Sequence, residues 1–164
     1  MSNIQQATVL FLVKRSSGKI SEILLGMKKR GFGAGKWNGI GGKFAAAVDK
    51  TINDTARRET REEIGVEVQN PQKVARLMFH FPHKPEWDQL VYAYLCEVWQ
   101  GEPVETEEMA PQWFNVKDIP YKEMWWDDRF WLPDVLAGKK IQASFIFNEQ
   151  EEITSQKLEI VSSL

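Results

Sequence analysis

The stretch ARRETREEIGV, residues 56–66, constrains the fold more than any other part of the chain. Thr51 and Asp54 have the spacing of a capping pair ahead of it, and Gly65 supplies a left-handed stop behind it, so a helix is expected from Thr51 to Ile64. At helical spacing Ile52, Ala56, Glu59 and Glu63 share one stripe, and Glu62 lies on the adjacent row. Ile52 and Ala56 are apolar, so the stripe points inward and takes two carboxylates with it. Buried like charges need something positive among them. Arg58, four residues before Glu62, is one remedy. A divalent cation is the other. Several carboxylates converging without Cys or clustered His favour hard Mg²⁺ or Mn²⁺ over zinc. The bland alternative is a solvated helix laced with ion pairs; the apolar start of the stripe weighs against it.

Strands surround this helix. Residues 7–15, β-branched and apolar, read as a core strand, 16–19 as a turn, and 21–30 as a second strand. Six glycines between 31 and 42 make a loop, with room for a short strand through Trp37 to Ile40. Residues 73–81, 90–99, 108–116, 142–148 and 154–161 read as further strands. A second helix is expected over 127–140, with Asp127 or Asp128 near its start and Gly138 at its end. Strands outnumber helices, which fits an α+β architecture with a mixed β-sheet sandwiched between helices.

At 164 residues the chain is long enough for one compact domain with a real core, and 1–164 is read as a single domain. A net charge of −2 and a pI near 5.8 give no footprint for polymeric nucleic acid. A small polyanion would need a metal ion or a local cluster of cations. One cysteine, Cys96, allows no internal disulfide and suggests a reducing compartment. The apolar run Thr8–Val13 is too short to span a bilayer. A cytoplasmic monomer with no membrane partner is expected.

Residues Arg58 to Val66, RETREEIGV, resemble the second half of the Nudix box, R-E-apolar-x-E-E-x-G-apolar, with Thr60 at the apolar position. Gly41 and Gly42 match its opening, but two extra residues intervene and Lys50 stands where the box has a glutamate. That glutamate pairs with the box arginine; here Asp54, four residues before Arg58, is the expected substitute. The inserted segment Phe44 to Lys50 reads as a surface excursion carrying no group the chemistry needs. GMKKRGFGAGKWNGIGGK, GEPVETEEMAPQWF, EMWWDDRFW and the later FIF extend the resemblance from about Thr8 to Phe147. Within the Nudix hydrolases they are similar to the vertebrate enzymes that act on oxidised purine nucleoside triphosphates.

The resemblance implies a Nudix fold and a Mg²⁺-dependent enzyme (Mn²⁺ as substitute) that sanitises the nucleotide pool. It would split 8-oxo-dGTP or 2-hydroxy-dATP into a monophosphate and pyrophosphate. It implies Glu59, Glu62 and Glu63 as metal-binding acids, one doubling as base, joined by the Gly42 carbonyl and by Glu108. It places Asn38, Phe79, Phe81, Trp125, Asp127, Asp128 and Trp131 around the purine, with Thr8 near the sugar and Lys28 at the pocket wall. From the residues alone, Glu108 reads equally as a solvated loop acid. Phe79, Phe81 and Trp131 read as plain core, and one of Asp127 and Asp128 as a helix N-cap. Two other functional readings stand beside this one: a hydrolase of methylated or ordinary purine nucleotides, and a nucleotide-binding module impaired by its altered box.

Overall fold

The computed structural model describes residues 4–164. The chain runs β1 (Gln5–Ser16), β2 (Lys19–Lys28), β3 (Trp37–Asn38), α1 (Ile52–Ile64), β4 (Glu67–Gln69), β5 (Gln72–His80), β6 (Gln89–Cys96), β7 (Val98–Gln100), β8 (Met109–Asn115), α2 (Asp128–Leu136), β9 (Lys140–Phe147) and β10 (Ile153–Val161). The main sheet has the order β10-β9-β5-β6-β1-β2-β3, and β8 also pairs with β2. It is mixed: β1 runs parallel to β6 and β5 parallel to β9, while the other pairs are antiparallel.

β1 explains why the sheet lies between two layers. Its side chains alternate faces. Val9, Phe11 and Val13 join a core covered by α2, through Trp131, Leu132 and Val135. Leu10 and Leu12 join a second core covered by α1, through Ala56 and Ile64. A strand buried on both faces reads as the continuous apolar run of residues 7–13. The α+β class and the sandwich expected from the sequence are both present. No helix among the described residues is long and apolar enough to cross a membrane.

The glycine-rich segment is laid against β1. Ile40 and Leu10 exchange both backbone hydrogen bonds, at 2.6 and 2.8 Å, and the Thr8 N–H donates to the Gly42 carbonyl at 2.9 Å. A Cβ on Gly41 would stand 1.8 Å from the Thr8 carbonyl oxygen, so only glycine admits this approach. The contact carries Gly42 to the side of α1.

Several boundaries differ from the sequence reading. β2 stops at Lys28, because Lys29 and Arg30 already turn into the glycine loop. The strand expected over 90–99 is two: β7 leaves the main sheet and pairs with β4, an element absent from the sequence reading. Cys96 ties that corner, its thiol donating to the carbonyls of Val98 and Gln69. α2 ends at Leu136 rather than near Lys140; Gly138, at φ 94°, turns the chain into β9.

Candidate active site

The phase of α1 is set at both ends. Thr51 Oγ1 accepts from the Asp54 N–H, Asp54 Oδ2 accepts from the Thr51 N–H, and Gly65 stops the helix at φ 72°. The buried face is Thr55, Ala56, Thr60, Glu63 and Ile64. Thr60 fits the apolar position because its hydroxyl donates to the Ala56 carbonyl at 2.7 Å. Of the three acids, Glu63 is buried, Glu59 is half-buried and Glu62 is exposed.

Arg58 organises them. Its Nε and Nη2 reach the two carboxylate oxygens of Asp49, both at 2.9 Å. Nη1 donates to Glu59 at 3.0 Å and to Glu62 at 3.2 Å, and Nη2 to the Lys43 carbonyl. The partner expected from spacing, Asp54, is committed to the cap and to the Lys50 N–H. Asp49 takes that place. It is buried and also accepts from the Thr55 hydroxyl and the Ala45 N–H. The Arg58 guanidinium holds the Asp49 carboxyl well below the usual carboxylate range. The segment Phe44 to Lys50 is therefore not a bare excursion: Ala46, Ala47 and Val48 are exposed, but Asp49 anchors its end.

Glu59 lies against Gly42; a Cβ there would stand 2.4 Å from the Glu59 carboxyl carbon. The Gly42 carbonyl already accepts one hydrogen bond from Thr8, which leaves it one lone pair. Glu63 Oε2 is buried with no hydrogen-bond partner. Burial pushes the Glu63 carboxyl up to about 9, helped by the charge of Glu59, a hydrogen bond with it and the charge of Glu108; Lys28 pulls the other way. Glu62 and Glu108 turn instead to Arg58 and Arg30. Among the described residues no three Asp, Glu, His or Cys side chains form a ready metal cage. The donors still suit a hard divalent cation. They are all oxygen, and one buried carboxylate oxygen, Glu63 Oε2, has no partner.

Beside the acids lies a cavity of about 190 Å³. Thr8, Lys28, Asn38, Phe79, Phe81, Trp125, Asp127, Asp128 and Trp131 all line it, and so does Gly42. The structure thus brings the expected base-side residues to one place. Phe81 stacks on Phe147 at 5.2 Å, and Phe79 on Phe145 at 5.8 Å. Trp131 is also true core, packed on Phe11. Asn38 Oδ1 accepts from the Gly39 N–H at 2.8 Å. The resemblance puts Gln89 at one pocket wall, and it lines the cavity; Phe32 and Phe147, to which the sequence reading assigned no role, line it too. Phe32 stacks on Trp125 at 5.1 Å. An aromatic set among glycines is the sequence signal for it.

Neither aspartate caps α2. Asp127, at the cap position, has helical backbone angles and makes no capping bond. Its Oδ2 instead accepts from Trp131 Nε1 at 2.8 Å. Burial raises the Asp127 carboxyl to about 6, against the pull of that bond. Burial and the neighbouring Asp127 raise Asp128 well above the carboxylate range. Asp128 Oδ2 and Thr8 Oγ1 are buried cavity-lining groups with no partner. Such atoms cost stability unless a ligand meets them.

Two outcomes follow from this geometry. Asp49→Ala should cost about 3–5 kcal/mol in urea unfolding, as loss of one member of a buried ion pair does. Asp54→Ala should cost about 0.5–2 kcal/mol, as loss of a cap does; equal losses would deny Asp49 its place as partner. The second outcome concerns pH. The folded protein holds the Glu63 proton more tightly than the unfolded chain, so its stabilising contribution is full below the ordinary value of 4.5. It is lost as pH rises to about 9. The metal-free melting temperature should fall across that window, and Glu63→Gln should flatten the fall.

Comparison with known proteins identifies the family. The NUDIX domain model matches residues 4–135. The chain is 45% identical over 141 residues to the oxidized purine nucleoside triphosphate hydrolase of Mus musculus, covering 86% of this chain and 88% of that protein. It is 43% identical over 142 residues to the protein of the same name in Danio rerio, covering 87% and 89%. The mutator MutT protein of Bacillus halodurans has the same fold, with a TM-score of 0.80 at 22% identity over 95% of this chain and 98% of that one. A domain match over most of the chain and two full-length relatives lead to one conclusion: this protein belongs to the Nudix hydrolase family.

Proposed function

We propose that the protein hydrolyses oxidised purine nucleoside triphosphates, such as 8-oxo-dGTP and 2-hydroxy-dATP, to the monophosphate and pyrophosphate, with Mg²⁺ as its metal. The observation that carries this reading is the join between cavity and acids. Gly42 lines the cavity and touches Glu59; Lys28 lines it and acts on Glu63. A base in the cavity therefore directs its phosphates to the carboxylates. The relatives named for this activity support the substrate class. Asp49 supports turnover over a binding-only role, because it restores to Arg58 the carboxylate that Lys50 removes from the box. We read the whole chain as one domain, since β9 and β10 extend the same sheet beyond α2.

Nudix hydrolases use divalent metal ions; a bound ion neutralises phosphate charge and lowers the pKa of a water. In this reading Glu59, Glu62, Glu63 and Glu108, with the Gly42 carbonyl, would hold the metal. Arg58 keeps Glu59 and Glu62 from folding away. The charge of a bound cation would ionise Glu63, and its Oε2, the oxygen without a partner, would then take the proton of the attacking water. The new bond joins the water oxygen to phosphorus and the bridging P–O bond between the α and β phosphates breaks, which parts the substrate into monophosphate and pyrophosphate. In the cavity, aromatic faces stack on the base, and Asp127 and Asp128 read its edge. A protonated carboxyl donates a hydrogen bond and an ionised one accepts.

Pyrophosphate release across a panel of oxidised, methylated and ordinary purine nucleotides, with Mg²⁺ or Mn²⁺, tests the reading. Glu63→Gln should lower turnover by on the order of 10² or more; turnover near wild type would remove Glu63 from the mechanism. Asp127→Asn or Asp128→Asn should change the ratio of kcat/KM between 8-oxo-dGTP and 2-hydroxy-dATP and leave metal affinity unchanged. An unchanged ratio in both would move base reading to Asn38 and the aromatics.

A further inference from the structure

Thr106 lies on the loop between β7 and β8, and its hydroxyl is used in both directions. It donates to the Glu63 carbonyl at 2.8 Å. It accepts from the Glu108 N–H at 3.3 Å. Its own N–H donates to the Met109 carbonyl at 2.9 Å, which closes a tight turn with Glu108 inside it. Around it the loop caps α1. The Val104 N–H donates to the Ile64 carbonyl at 3.0 Å, so Val104 and Thr106 serve two of the carbonyls a helix leaves orphaned at its C-terminus. On the far side the Glu108 carbonyl accepts from the Lys29 N–H at 3.0 Å, and the Glu108 carboxylate meets Arg30 at 3.5 Å.

Glu63 and Glu108 come from elements 45 positions apart in the chain, yet one hydroxyl bonds to the backbone of both. We infer that Thr106 is a positioning residue: it fixes the Glu108 turn against the last turn of α1, so that Glu63 and Glu108 face one divalent cation. The inference rests on the proposed metal-binding role of these two acids. Only a side chain that donates and accepts at once can make both bonds, so serine can replace threonine and valine, of the same shape, cannot. Thr106 is half-buried and does not line the cavity, so loss of its hydroxyl leaves the base contacts in place.

The test is Mn²⁺ affinity, read by electron paramagnetic resonance of the full chain without nucleotide. Thr106→Val should weaken Mn²⁺ binding by about tenfold or more, as loss of a group that orients metal ligands does, and Thr106→Ser should stay within about threefold of wild type. In a Glu108→Gln background the valine substitution should add nothing, because its effect runs through Glu108. Turnover of 8-oxo-dGTP should fall with metal affinity while KM holds. Mn²⁺ affinity unchanged in Thr106→Val, with Glu108→Gln weakening it, overturns the positioning role alone. Affinity unchanged in Glu108→Gln overturns the metal role of Glu108 and this inference with it. If Thr106→Val fails to fold, Thr106→Ala is read against Thr106→Ser by the same criterion. A serine variant as weak as the alanine variant overturns the inference.

Discussion

The bidentate pair between Arg58 and Asp49 is the contact on which the acid site depends. Arg58 is the one described cation that touches Glu59 and Glu62 together, and it does so from a guanidinium pinned at Nε and Nη2. A lysine would offer a single point charge and no fork to divide between Asp49 and the helix acids. Asp49 in turn is held by Thr55 and by the Ala45 N–H, so the pair is set by α1 and by the loop before it. Without it, three acids on neighbouring rows of one helix would repel one another into solvent. With it, Glu59 stays against Gly42 and Glu63 stays inside.

Much of this was legible because local chemistry decided it. The cap at Thr51 and Asp54, the stop at Gly65 and the alternation of β1 each need only a few neighbouring residues. Asp49 was not legible for the converse reason. Spacing along a helix nominates partners four residues apart, whereas Asp49 reaches Arg58 from a loop folded back across nine positions. Asp54 satisfied two rules at once, cap and i,i+4 partner, and a carboxylate that accepts two backbone N–H groups is no longer free for an arginine. The β4–β7 pair was missed because three-residue strands leave no period to read. The aspartates of α2 were open to a capping reading because sequence does not show that an indole five positions into the segment would take the carboxylate first.

The two halves of the site face the same electrostatic problem. Glu59 and Glu63 are adjacent acids at the edge of one core, and Asp127 and Asp128 are adjacent acids buried in the other. Burial disfavours the charged form in each pair. The environments differ in what they offer as relief. Glu59 has Arg58 on its outer side, and Lys28 bears on Glu63, so a further cation completes a cluster already half neutralised. Asp127 has an indole N–H and Asp128 has no partner for Oδ2; the charge of Arg129 offsets only part of the burial of Asp128, so a proton is the cheapest neutraliser.

That difference divides the labour within one continuous site. A pair relieved by a metal is suited to phosphates, whose negative charge a cation bridges to carboxylates. A pair relieved by a proton is suited to a neutral base, because its ionised and protonated members present an acceptor and a donor side by side. The Trp131 bond decides which member is which. It favours the ionised form of Asp127, which burial raises only to about 6, while Asp128 is driven well above the ordinary range by burial and by that neighbouring charge. In the proposed reading the lower member accepts from the base and the upper one donates to it. In the proposed reading Trp131, which packs as core against Phe11, thereby sets the polarity of the base pocket through one N–H. A core tryptophan and a cavity-lining carboxylate are here joined by one bond, which is why residue type alone left Trp131 open to both descriptions.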